Sequence, residues 1–271
     1  MEWRKLKNII LIILLALNLA LAALLGGPRL DAYTRTAQAE REAVLFLEEK
    51  GIGVSLDQLP GGEELQPLQA ERDQQMEEDL ARALLGEETL REVQGGEVYR
   101  YVSEKGLIQF HSDGSFWAEF APSCFPLEGD GHRASMAVLE QLGFSGEVME
   151  EGEDFLTLRQ CLEQGCLFNQ QATVTWGKEG LSGISSGRRL YGTPVVDTGR
   201  ESIDRATALI AFYNGLSRMG DVCSRIDRVE PGYVSAASLN RMMTLTPVWR
   251  VTTDTGTYQL DLVSGELERV G

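Results

Sequence analysis

The first apolar pattern along the chain is a block. Ile9 to Leu25 is a run of 17 residues with one polar member, Asn18. With Leu6 before it and Gly26-Gly27 after it, the run reaches roughly 20 residues, enough for a helix to span a hydrocarbon core of about 30 Å. Arg4, Lys5 and Lys7 precede it, which predicts a cytoplasmic N-terminus and an extracytoplasmic remainder. Ala20-Leu21-Ala22 also fits a small-x-small cleavage pattern. The run is longer than a usual leader core, and its glycine pair follows it, so a retained single-pass anchor is expected over 9–27, after a cytoplasmic stretch of 1–8. A mid-span amide needs a partner in hydrocarbon. It finds one in its own backbone or in a second helix. At helical spacing Leu11, Leu14, Leu15, Leu21, Ala22 and Leu25 share the face of Asn18, and Ala16 and Ala20 lie opposite.

Beyond the block the period changes. Residues 32–50 have helical spacing up to Gly51, and Ile52 to Leu56 reads as entry into a strand. A Pro- and Gly-bearing loop over 57–72 contains a short extended piece, and Asp73 to Leu85 is a polar helix ending at Gly86. Alternation then predicts strands at 97–102, 107–110 and 115–120, a helix over 133–142, and strands near 154–163, 166–176 and 180–191. Thr198-Gly-Arg-Glu201 has the form of a capping box for a helix over 201–217. Its buried side is expected to carry Ile203, Ala206, Leu209, Ile210, Tyr213 and Leu216. Strands follow near 221–234, 245–253, 256–263 and 266–269. Helix followed by antiparallel strands recurs about three times. The expected fold class is α+β: one transmembrane helix, then antiparallel sheets with helices on one face. The expected units are 28–125 and 126–271. The expected core comprises Phe110, Phe116, Trp117, Phe155, Leu158, Val174, Trp176, Ile210, Tyr213, Trp249, Tyr258, Leu260 and Leu262.

Charge narrows the function. The 271 residues carry a net charge of -16, which argues against nucleic acid and against docking onto anionic lipid beyond the anchor. The 43% hydrophobic content supports a folded ectodomain. Four cysteines are present: Cys124, Cys161, Cys166 and Cys223. Cys161 and Cys166 flank Leu-Glu-Gln-Gly, which has the form of a four-residue hairpin loop, and cross-strand neighbours there suit a disulfide. Four free thiols are the alternative. No closely spaced Cys pair suits zinc. His111-Ser112-Asp113 reads as a turn, because catalytic triads are assembled from distant segments. No phosphate loop, dinucleotide fingerprint or nucleophile elbow occurs, so neither catalysis nor a cofactor is expected.

The closing segment is TPVWRVTTDTGTYQLDLVSGELERVG. Val248 to Val251 alternates, Asp254-Thr-Gly256 turns, Tyr258 to Leu262 alternates back, and Val263-Ser-Gly-Glu266 turns again, with Tyr258, Leu260 and Leu262 expected inward. This resembles the last hairpin of PepSY-like domains and of the YycH/YycI family, in which a Pro-x-Trp strand pairs with a Tyr strand ending in a Thr-Gly-Glu or Ser-Gly-Glu turn. The start, Met1-Glu2-Trp3 with Lys5, Lys7, an Ile/Leu run and Asn18, resembles the YycI side of that family, as does the length. The resemblance covers both ends of the chain; the middle matches in element order alone. It implies a bitopic, non-catalytic regulator of a WalK-type sensor histidine kinase that controls cell-wall metabolism in Gram-positive bacteria. It also implies a YycH-like protein as heterodimer partner through the ectodomain. Trp3 and Asn18 would then belong to the membrane region that touches the kinase. The competing expectation, from the hairpin alone, is an extracytoplasmic PepSY-like binding or protease-inhibitor module.

Overall fold

The computed structural model of the protein describes residues 35–62, 64–127, 129–190, 192–238 and 241–270. The expected anchor, with Trp3, Leu11, Leu14, Leu15, Asn18, Leu21, Ala22 and Leu25, lies outside the described residues. Among the described residues no helix is long and apolar enough to cross a membrane.

Local signals start and stop most elements. Helix α1 (residues 35–49) ends before Gly51, whose φ of +85° is left-handed. The strand expected from Ile52 does not form. Gly53 makes one parallel bridge to Arg225, and Leu56–Gln58 is a 3-10 turn. There the Gln58 side chain accepts from Ser55 N–H at 2.8 Å while Gln58 N–H donates back to Ser55 O at 3.0 Å. These reciprocal bonds compete with a ladder. After β1 (Leu68–Glu71), helix α2 (Gln74–Leu85) is capped by Asp73 Oδ1, which accepts from the Gln75 and Met76 amides at 2.9 and 3.0 Å. Strands β2 (Leu90–Gln94), β3 (Val98–Ser103), β4 (Gly106–Phe110) and β5 (Ser115–Phe120) form a meander. Helix α3 (Gly131–Gln141) is capped by Asp130. Next come β6 (Gly146–Glu151), β7 (Phe155–Leu162), β8 (Gly165–Gly177), β9 (Gly180–Arg188) and β10 (Val195–Val196). Helix α4 (Arg205–Met219) and strands β11 (Ile226–Ala237), β12 (Met242–Thr253), β13 (Thr257–Asp261) and β14 (Leu267–Arg269) complete the chain.

The expected capping box at Thr198 is not used. Ile203 N–H donates to Leu262 O at 2.7 Å, which keeps the approach extended, and Asp204 caps α4 by accepting from Thr207 N–H at 2.8 Å. Asp197 instead holds the preceding turn, accepting from Gly199 N–H and Arg200 Nε.

The fold is mixed α+β, dominated by one large sheet with few helices. Its main path runs β10-β1-β12-β11-β8-β9-β5-β4-β3-β2. Strand β13 adds to β12 and β14 to β13; β7 adds to β8 and β6 to β7. Two halves are evident. One meander joins β2 to β9, and the other joins β1 and β10 to β14. They meet in a single parallel pairing of β11 with β8, at Gly232–Cys166 and Tyr233–Leu167.

Two main apolar clusters match these halves. The first packs Leu84 and Leu85 of α2 and Leu139 of α3 on Tyr101, Ile108, Phe110, Phe116, Leu158 and Val174. Its members run from Ala81 to Ile184, so the expected cut at residue 125 falls within its span. The second packs Val44 and Leu47 of α1 and Phe212 and Leu216 of α4 on Trp249, Tyr258, Leu260 and Leu262. The segment just after the apolar block thus closes its core with the last strands. Each fully buried large side chain contributes about 1.5–3 kcal/mol. As the alternation requires, Tyr258, Leu260 and Leu262 point inward. Trp117, Phe155, Trp176 and Tyr213 are half-buried, and Ile210 is 42% exposed. The reason for the last is Gly215. A Cβ there would lie 2.4 Å from Leu267 Cβ, so α4 turns its glycine, Phe212 and Leu216 to the sheet, and Ile210 faces away.

Asp204→Ala is expected to destabilise the protein by about 1 kcal/mol in urea unfolding, and Thr198→Ala by less than about 0.5 kcal/mol. The reverse order would place the helix start at the sequence-expected box.

Candidate functional site

The two halves of the sheet approach closely at their seam, and the sequence places glycine on both sides of it. A Cβ on Gly232 would lie 2.5 Å from Cys166 O and 2.7 Å from the Phe168 ring; one on Gly165 would lie 3.2 Å from Gly232 Cα. Only glycine lets the two backbones approach this closely. The hairpin that brings β8 here is closed by a disulfide between Cys161 and Cys166, which face each other in the β7–β8 register. Cys161 N–H is held by Ser145 O at 2.8 Å. Cys124 is exposed, and burial pushes the half-buried Cys223 thiol up to about 11. Glu147 lies beside the bridged sulfurs. Sulfurs bonded to each other offer no thiolate to a metal, so this trio does not suit one.

Side chains extend the seam beyond its two backbone pairs. Asn169 Nδ2 donates to Ser235 O at 2.7 Å, and its Oδ1 accepts from Ser235 N–H at 2.9 Å and Ser235 Oγ at 3.1 Å. One amide side chain thereby occupies both backbone groups of Ser235, as a further strand residue would. Buried Gln170 donates to Ser235 Oγ at 2.9 Å. The Tyr233 hydroxyl donates to Gln66 O at 3.2 Å, and burial pushes it up to about 12. On one face the Phe168 ring lies against Gly232, and Arg250 stacks 4.0 Å from the ring centroid, with Arg159 at 5.3 Å. On the other side a small groove of about 60 Å³ is lined by Pro60, Leu65, Gln164, Arg205, Trp249 and Leu262. Burial raises the Glu64 carboxyl at its rim, with Asp204 adding to the effect.

A second tie joins the halves through charge. Arg72, one residue past β1, makes a two-pronged bond to Glu77 of α2, at 2.9 Å for both Nε–Oε1 and Nη2–Oε2, with both side chains 1% exposed. Arg72 Nη1 also donates to Glu97 O at 2.8 Å, and Arg241 of the β12 approach bonds the Glu97 carboxylate. Arg189 is buried nearby, 5.7 Å from the Phe110 ring. Burial pulls it down to about 10, opposed by Glu77. Burial likewise raises Glu77 itself, against the pull of Arg72 and Arg189.

Of the residues singled out in the sequence, Cys161 and Cys166 are brought together at the seam. Asp113 accepts from Ser115 N–H at 2.9 Å and pairs with Arg188 at 3.3 Å, and His111 Nε2 lies 2.9 Å from Gln109 Nε2. These contacts make a β4–β5 turn. Gly232, Asn169 and Arg189 carried no signal in the chain, because their partners lie 66 to 113 residues away and only the sheet brings them near; Arg72 and Glu77 are 5 apart, and nothing local shows that both are buried.

No family model matches the chain, and no curated protein matches it in sequence. Among solved structures it is similar to an uncharacterized protein from Eubacterium rectale ATCC 33656, at 11% identity over 76% of this chain and 86% of that one, with a TM-score of 0.41. It is also similar to the Bacillus megaterium YpeB C-terminal domain, at 14% identity over 74% and 99%, with a TM-score of 0.38. Both likenesses are distant.

Replacing Cys161 and Cys166 together by Ala is expected to lower stability by about 2 kcal/mol, the loop-closure term for so short a loop. Hydrogen exchange should quicken at 165–170 and 231–236 before it does so in either core. Glu77→Leu leaves two buried guanidiniums without a carboxylate and should cost about 3–5 kcal/mol in chemical unfolding.

Proposed function

We propose that this chain is a non-catalytic, membrane-anchored extracytoplasmic regulator of a WalK-type two-component sensor histidine kinase that controls cell-wall metabolism. It acts through transmembrane helix contacts centred on Asn18, and its ectodomain pairs with a YycH-like protein. The finer reading of the fold belongs to the same proposal: one N-terminal transmembrane helix and PepSY-like or YycH-like repeats with helices on one face.

The observation that carries the proposal is the closing hairpin taken with the first 27 residues. Pro247-Val248-Trp249 runs in β12, Trp249 pairs with Leu260, and Val251 pairs with Tyr258. The turn Val263-Ser-Gly-Glu266 follows, with Gly265 at φ +71° and Asp261 Oδ1 accepting from the Val263 and Ser264 amides. A hairpin of this form supports the reading, because it resembles the one that closes PepSY-like domains and the YycH/YycI family. At the other end, basic residues precede a span with one central amide. A helix partner shifts a kinase between two signalling states only by binding one better than the other. A polar contact in hydrocarbon of about 0.6–2 kcal/mol suffices to change that ratio several-fold.

The test uses the full chain co-expressed with the kinase. Asn18→Leu should leave insertion intact, weaken co-purification, and change kinase output several-fold. Replacement of residues 6–25 by an unrelated anchor should abolish both. Unchanged binding and output in both variants would remove the transmembrane mechanism. A native N-terminus near Ala23, found by mass spectrometry, would favour the binding or protease-inhibitor module instead.

A further inference from the structure

Four strands of the described residues have a partner on one side only: β2, β6, β10 and β14. Open edges offer unpaired N–H and C=O groups to any passing strand, and folded proteins blunt them by shortness, bulges or charge. Three of the four are blunted. Strand β10 has 2 residues and β14 has 3. Strand β6 is bulged between Val148 and Glu150 and carries Glu147, Glu150 and Glu151. Strand β2 is neither as short as β10 and β14 nor bulged like β6, and its two charges, Arg91 and Glu92, are of opposite sign. Its five residues, Leu90–Gln94, pair with β3 in unbroken register, contain no proline, and are exposed throughout. Leu90 is 71% and Val93 68% exposed. Being three apart, the two point to opposite faces of the sheet.

We propose that the free edge of β2 is a docking site for an extended segment of a protein partner, which adds to the sheet as a strand beside Leu90–Gln94. The segment is apolar opposite Leu90 and Val93 and basic elsewhere. The basic preference follows from the rim: Glu87 and Glu88 are exposed just before the strand, and Glu92 within it faces Arg100 of β3 at 3.7 Å, on a chain of net charge -16. Arg91 is itself occupied, with Glu78 at 3.5 Å and the Tyr99 ring at 4.7 Å. A second copy fits worse. A twofold antiparallel pairing over the whole strand centres on Glu92 and sets carboxylate against carboxylate. Main-chain bonds supply the attachment, and the two apolar contacts fix the register. The inference concerns the ectodomain edge alone and holds whichever protein supplies the strand.

The test uses the full chain in detergent micelles and a labelled synthetic peptide, KVKQLK, with two controls. The charge-reversed EVEQLE keeps the pattern, and a backbone N-methylated KVKQLK cannot form the ladder. KVKQLK should bind, and its binding should slow amide exchange at least tenfold within 90–94. Leu90→Glu with Val93→Glu, both at exposed positions, should weaken binding at least tenfold, and both control peptides should bind at least tenfold more weakly. Absence of binding at millimolar peptide, equal binding by the N-methylated form, undiminished affinity of the double variant, or protection at 146–151 instead would each overturn the proposal. So would a dimer of the chain that the double variant dissolves, because the occupant would then be a second copy.

Discussion

The architecture depends on a close approach that only glycine permits. At Gly232 the β11 backbone passes so near β8 that a single added carbon would overlap Cys166 O and the Phe168 ring. Everything on either side of that contact is an antiparallel meander with its own helices and its own apolar cluster. The seam makes one sheet of two. It is short in backbone terms, with two residue pairs, and is lengthened by Asn169, whose amide reproduces a strand's donor and acceptor toward Ser235. The disulfide sits where the approaching hairpin would otherwise fray. The bridge restricts β8 in the unfolded chain and keeps Cys166 in register in the folded one.

The second tie between the halves works by a different force. Arg72 and Glu77 are both withdrawn from water, and each compensates the other's desolvation through two hydrogen bonds in a fork geometry. Such a pair contributes little net stability against an apolar substitute, yet losing one member is severe. Its consequence is specificity of placement: the end of β1 and the start of α2 have one satisfied arrangement. Arg189, buried beside them, adds a charge that the Glu77 carboxylate offsets. Together, an apolar close contact at one end and a buried charge cluster at the other set how the two halves meet.

Periodicity carried much of the fold. Alternation located the β3–β5 and β7–β9 meanders and the closing hairpin. Asp73 and Gly86 bracketed α2. What it passed over were β2, β6 and β10. Two of these are exposed edges in which charged residues interrupt the alternation, and the third has two residues. The helix start at Asp204 was hidden behind a local motif at Thr198 that matched a capping box. A tertiary bond from Ile203 to Leu262 overrode that motif. The face of α4 was read one position off at Ile210, because the pattern ignored Gly215, and a residue without a side chain can be the one that touches the sheet.

The sequence alone determined the local properties. These include an apolar run of 17 residues with one central amide, strands of period two, a helix starting at Asp73, and a hairpin with Cys161 opposite Cys166. Each depends on residues within one continuous stretch of the chain. The tertiary structure decided the rest. It brought residues 43–59 onto the last strands, joined the two meanders at Gly232, buried Arg72 and Glu77 near Arg189, and left β2 exposed at an edge of the sheet. Those outcomes depend on contacts between distant segments, where burial and close approach are set by the whole sheet and leave no periodic trace in the chain.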